Sequence, residues 1–121
     1  MKLNEIAGKI GARVLQPGKA AEAEIKRVFA GDKMSDLLSE ASDTTLLVTN
    51  LVNAQVLRIA QIMDVPGICL LNNAAPKPEW VNQAAEHGTA IMVSTVGMFE
   101  TCGHLYQCLY GKGGGKAGSE S

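Results

Sequence analysis

The sequence predicts an α/β fold, a three-layer α/β/α sandwich around a mixed, mostly parallel sheet of about five strands. Three observations predict it. The apolar runs Thr45–Thr49, residues 67–71 and residues 90–94 are continuous rather than alternating, the mark of strands buried on both faces. They begin about 22 residues apart, the room that one helix and two loops need in a βα unit. Helical patterns fill the intervals and follow the last run.

The N-terminal elements are shorter. Leu3, Ile6, Ala7 and Ile10 recur at i, i+3, i+4 and i+7, which predicts an amphipathic helix over residues 3–10 with Gly11 as its left-handed C-cap. Residues 13–16 form a short strand ended by the Pro17-Gly18 turn, and residues 20–24 a loop. Residues 25–30, with Val28 and Phe29, form a second strand that Gly31-Asp32 breaks. Residues 36–41 are helical, with Ser35 as N-cap. The two short strands extend the sheet, one of them antiparallel.

Between the three regular strands lie helices over residues 53–63 and 78–86. Val56, Leu57, Ala60 and Met63 share a face of the first, Pro66 follows its end, and Pro78 suits the first turn of the second. Trp80 opens that second helix, either as an anchor into the core or as an interface residue. A last helix spans residues 96–110, with Met98, Phe99, Cys102, Leu105, Tyr106 and Leu109 as an apolar stripe packed on the sheet. Residues 1–110 make one domain, and residues 111–121 a flexible tail of glycine, lysine and serine with nothing to bury.

Composition excludes several functions. The chain has 121 residues and a net charge of −1, too little for the global positive field of non-specific nucleic-acid binding. No apolar stretch approaches the ~20 residues of a membrane span, and the start lacks the apolar run of a signal peptide. Three cysteines, Cys69, Cys102 and Cys108, stand at no framework or zinc-site spacing and read as reduced thiols of a cytoplasmic protein. Residues 111–117 superficially resemble a phosphate-binding loop, but they follow a helix and end in Ala117. His87 stands at a helix end beside Gly88, where an imidazole complements the helix dipole, and His104 lies off the main stripe of the last helix. Neither forms a nucleophile or acid–base set with its neighbours, so no enzyme, metal or cofactor is expected.

In open parallel sheets ligands bind beyond the carboxyl ends of the strands. The groups falling there are Asp32 after the second strand, Asn50 and Asn53 after the third, Asn72 and Asn73 after the fourth, and Ser94 and Thr95 after the fifth. They can hold a polar or anionic ligand, and the same residue types also serve as helix caps and turn formers.

The start Met1-Lys2-Leu3-Asn4-Glu5-Ile6-Ala7 with Arg13-Val14-Leu15 resembles DRTGG-domain proteins. So does the series Leu46-Leu47-Val48-Thr49-Asn50, Gly67-Ile68-Cys69-Leu70-Leu71, Pro76-Lys77-Pro78 and Ile91-Met92-Val93-Ser94-Thr95 with Phe99-Glu100-Thr101. The resemblance spans residues 1–110. It implies a fold similar to the N-terminal domain of HPr kinase/phosphorylase and a regulatory, non-catalytic role like that of the DRTGG modules found beside CBS domains in some inorganic pyrophosphatases and in some phosphotransacetylases. It also implies a stand-alone cytosolic version. Where the family's naming motif belongs, this chain reads Leu51-Val52-Asn53-Ala54-Gln55, and after the next strand Asn72-Asn73-Ala74-Ala75 replaces a glycine pair. The loss of Arg removes a phosphate-type fork, and Asn50, Asn53, Asn72 and Asn73 keep polarity there without charge.

The expectation is therefore a ligand-sensing regulatory domain with a small-molecule site at Asp32, Asn50, Asn53, Asn72, Asn73, Ser94 and Thr95. The alternative is a protein-interaction adaptor that docks to an enzyme or kinase as a homodimer.

Overall fold

The computed structural model describes residues 1–18 and 23–111. Its elements run α1 (Leu3–Ile10), β1 (Arg13–Gln16), β2 (Arg27–Ala30), α2 (Met34–Glu40), β3 (Thr45–Thr49), α3 (Ala54–Ile62), β4 (Gly67–Leu70), α4 (Pro78–Glu86), β5 (Ala90–Val93) and α5 (Met98–Tyr106). A π-helical turn, Gln107–Gly111, continues α5. Gly111 thus closes a helix, and residues 112–121, the remainder of the expected tail, lie outside the described residues, as do residues 19–22 of the expected loop.

The five strands form one sheet in the order β1-β5-β4-β3-β2. Neighbours among β2, β3, β4 and β5 are parallel, and β1 runs antiparallel to β5. From β2 to β5 each step moves to the adjacent strand in the same direction. Right-handed crossovers then put all three connecting helices, α2, α3 and α4, on one face. Leu37, Val56, Leu57, Ala60 and Ala84 of these helices pack there on Leu47, Ile68, Leu70, Ile91 and Val93. The other face carries α1 and α5, whose Leu3, Ile6, Ala7 and Leu105 meet Leu46, Val48, Cys69 and Met92. Every residue of β3, β4 and β5 is buried, so the continuous apolar runs do report strands covered on both sides.

Two glycines are dictated by geometry. Gly11 closes α1 at φ 70°, while Ala12 N–H bonds Ala7 O at 2.9 Å. Gly18 has φ +69°, and a Cβ there would stand 2.7 Å from both Ala90 N and Gly88 O.

Several boundaries differ from expectation for identifiable reasons. α2 starts at Met34 with Lys33 as its N-cap rather than Ser35, because Asp36 and Leu37 N–H both bond Lys33 O. β2 starts at Arg27, since Ile25 N–H instead bonds Met1 O at 2.8 Å, and Ile25 is buried against the N-terminal segment. α5 starts at Met98, because Val96 O is taken by Asn72 N–H. The apolar stripe of α5 is also narrower than expected. Leu105 is buried, whereas Phe99 is 89% and Tyr106 66% exposed.

Trp80 is an anchor. It is 7% exposed, and its indole N–H donates to Asn53 O at 2.8 Å, tying the first turn of α4 to the cap of α3.

Candidate functional site

Parallel pairing brings the carboxyl ends of β2, β3, β4 and β5 to one edge of the sheet. At β2 and β3 the centre is Asp32. Its Oδ1 accepts from Thr49 Oγ1 at 2.8 Å and from Asn50 N–H at 2.7 Å, and its Oδ2 accepts from Asn50 Nδ2 at 3.0 Å. Partial burial raises the Asp32 carboxyl, but the side-chain and backbone hydrogen bonds from Asn50 and the bond from Thr49 outweigh it. The net effect holds the group below the ordinary carboxylate range. The site therefore contains a fixed, ionised acid.

The network continues across the edge. Asn72 Nδ2 donates to Asn50 Oδ1 at 3.3 Å. Asn72 and Asn73 are the central residues of a tight turn, with φ 56° and 55°, closed by Ala74 N–H to Leu71 O at 3.1 Å. Two successive positive φ values are the geometry of a type I′ turn, which asparagine tolerates better than most residues. The two backbone N–H groups dock the turn onto the next loop, Asn72 to Val96 O at 2.9 Å and Asn73 to Ser94 O at 2.8 Å. Both side chains are left exposed at the edge.

The far end of the network carries a cation that sequence reasoning missed. Arg13 Nη1 donates to Asn73 Oδ1 at 2.9 Å. Arg13 opens β1, and an opening residue would lie at the opposite edge of a parallel sheet. Because β1 is antiparallel, Arg13 pairs with Val93 at the carboxyl end of β5. The edge thus holds an acid at one end, the expected Asp32, and at the other a guanidinium that was not among the expected residues. No spacing in the sequence signals this. Only the antiparallel pairing does.

Of the expected residues, Asp32, Asn50, Asn72 and Asn73 are brought into this network. Asn53 and Ser94 are turned to internal tasks. Asn53 Oδ1 caps α3 by accepting Val56 N–H at 2.9 Å. Ser94 is 2% exposed, pairs with Thr101 Oγ1 at 2.7 Å and accepts Val96 N–H at 3.3 Å, so it holds the β5–α5 loop against α5. Thr95 is exposed on that loop.

Beside the network lies a groove of about 330 Å³, lined by Val52, Ala74, Ala75, Pro76, Lys77 and Trp80 from the loops after β3 and β4 and the start of α4. Its wall is largely apolar, with Lys77 at its rim. The edge therefore presents one largely apolar slot and one row of hydrogen-bonding groups that ends in a cation.

Nucleophilic chemistry has little support in the thiols. Burial pushes Cys69 up to about 12, and burial also raises Cys102. Cys69, Cys102 and Cys108 form no disulfide among the described residues. Among the described residues no group of three His, Cys, Asp or Glu side chains could hold a metal ion, and no helix is long and apolar enough to cross a membrane.

No family model matches the chain, and no curated protein matches it. A solved structure does. The CBS and DRTGG domains of the regulatory region of Clostridium perfringens pyrophosphatase, complexed with the activator diadenosine tetraphosphate, superimpose with a TM-score of 0.68 at 12% identity. The match covers 88% of this chain and 46% of that one, so this chain spans about half of the regulatory region it resembles. At such low identity the likeness speaks for the fold, which is a mixed α/β sandwich of DRTGG-like form.

Proposed function

We propose that this chain is a non-catalytic, ligand-sensing regulatory domain whose ligand binds at the carboxyl edge of the sheet. The observation that carries the reading is the continuous side-chain row Asp32–Asn50–Asn72 with Arg13–Asn73 beside it, left exposed next to a groove large enough for a planar ring. A small polar or anionic metabolite suits it. The apolar slot at Trp80 takes the ring, Arg13 and Lys77 face the negative groups, and the asparagine amides bond polar edges of either sense. A nucleotide fits this description, and the pyrophosphatase regulatory region of similar fold is described with a nucleotide activator. That structure is also a regulatory region, which supports regulation over catalysis here.

The test is isothermal titration and thermal shift of the full chain with nucleoside mono-, di- and triphosphates, diadenosine tetraphosphate and their non-phosphorylated nucleosides. Binding is expected for at least one phosphorylated compound, and it should weaken at least tenfold in Arg13→Ala and Asn50→Ala, the size of one lost charge-assisted hydrogen bond. Asn72→Gly deletes the amide and keeps the positive φ, so it separates a lost contact from a strained turn. Silence toward the whole panel, or binding unchanged in all three variants, would sink the proposal.

A further inference from the structure

The acid at the end of the edge row is held rigidly and is only partly used. An ionised carboxylate has about four acceptor positions. Asp32 fills two on Oδ1, with the Thr49 hydroxyl and Asn50 N–H, and one on Oδ2, with Asn50 Nδ2. The Thr49 side chain is fully buried, and its oxygen accepts Leu51 N–H at 3.2 Å, which leaves its proton for Asp32. These donors are all neutral, and among the described residues no basic side chain forms an ion pair with Asp32. Asp32 is exposed. It is an anion fixed in place, with an acceptor position of Oδ2 unfilled and no cation to offset its charge.

The neighbouring amide adds a second acceptor. Because Oδ2 can only accept, the Asn50 NH₂ faces Asp32 and the Asn50 carbonyl faces Asn72, whose Nδ2 donates to it at 3.3 Å. That carbonyl oxygen has two lone pairs, and among the described residues this bond uses one of them. Two unfilled acceptor positions thus flank one amide group, Asp32 Oδ2 on one side and Asn50 Oδ1 on the other.

Resting on the reading of this edge as a nucleotide site, we infer that Asp32 and Asn50 determine its specificity: they take the vicinal hydroxyls of a ribose and turn away a ligand that carries a phosphate there. Three groups radiate from the sugar of a nucleotide: the base, the 5′-phosphate and the hydroxyls at C2′ and C3′. The edge has a partner for each. The slot between Val52 and Ala74 takes the base, Arg13 and Lys77 face the 5′-phosphate, and the acceptor pair faces the diol. Two adjacent hydroxyls donate to two adjacent acceptors, and the bond to Asp32 is charge-assisted. A 3′-phosphate in the same place sets like charge against Asp32, while the cations stand at the slot rim and at the far end of the row.

The experiment is isothermal titration of the full chain with the four ribonucleoside 5′-monophosphates, their 2′,3′-dideoxy counterparts and the corresponding 3′,5′-bisphosphates. At least one monophosphate is expected to bind, and its dideoxy and bisphosphate counterparts should each bind at least tenfold more weakly. Asp32→Asn keeps the size of the side chain and removes the charge. It should bring the bisphosphate level with the monophosphate or make it the tighter ligand, a gain that damage to the fold does not produce. A dideoxy or bisphosphate compound that binds the wild type as tightly as its monophosphate overturns the inference and leaves the edge as the ligand site. So does wild-type discrimination that persists in Asp32→Asn, which assigns the selectivity to other groups. Silence toward every compound overturns the nucleotide reading of the edge, and the inference falls with it.

Discussion

Helices α4 and α5 have the same length, nine residues, and each is preceded by a parallel strand of four buried residues. They use their aromatic residues in opposite ways. α4 has one, Trp80, which is buried and bonded to the α3 cap. α5 carries Phe99 and Tyr106 on its outer side and packs inward with Thr101 and Leu105. The comparison teaches that aromatic content does not measure burial. The angular position of a residue on its helix decides whether an aromatic ring builds the core or remains available for binding.

The largest effect should break the α4 side. Trp80→Ala opens a cavity and removes the tie to Asn53, and it should cost roughly 3–5 kcal/mol in urea unfolding. Trp80→Phe should recover much of that loss but leave Asn53 O without its donor. Next comes the inner side of α5, which is held by a hydroxyl pair instead of a ring. Thr101→Val removes the hydroxyl partner of the buried Ser94 and leaves it only the Val96 N–H, and should cost about 1–3 kcal/mol by the same measurement.

The edge that both preceding strands reach can be tested by acid. The Asp32 carboxyl is lowered in the folded state, so the stability it contributes is complete above the unfolded carboxylate value near ~3.9 and fades as pH falls through the lower folded value. Thermal melts from pH 6 to pH 2.5 should show a shallower acid loss in Asp32→Asn than in wild type. A parallel loss in both would mean that the network does not hold the ionised form.

The outer side of α5 should barely respond in monomer stability. Gly103→Ala should gain up to ~1 kcal/mol from helix propensity, since the methyl meets open space. Phe99→Ser should stay within about 0.5 kcal/mol of wild type in melts at low micromolar concentration. A large loss from Phe99→Ser would erase the contrast between the two helices.

Much of the architecture was legible in the chain itself. Runs such as residues 67–71 alternate with helical patterns at a spacing that admits little besides a parallel sheet with covered faces, and Gly11 and the Pro17-Gly18 turn mark ends that the structure keeps. Helix starts were less legible. Ser35 looks like a cap, yet the carbonyl of Lys33 takes the first helical bonds, because backbone geometry after Asp32 sets the start of α2. Four of the five residues in the edge network were legible for a simple reason: residues that follow parallel strands must gather at one edge. Which of them face outward was not. Ser94 and Asn53 have the same chemistry as Asn50 and Asn72, but the loop and cap around them turn their side chains to internal partners.

The sequence by itself determined the layered α/β plan, because burial on both faces of a strand and amphipathic periodicity are written in local composition. Only the tertiary structure decided that Arg13 stands on the same edge as Asp32, at its other end, because strand direction is settled by pairing between segments some 80 residues apart (Arg13 with Val93) and not by anything local to either. It also decided which aromatic residues are core and which are surface, since that depends on how each helix is rotated against the sheet.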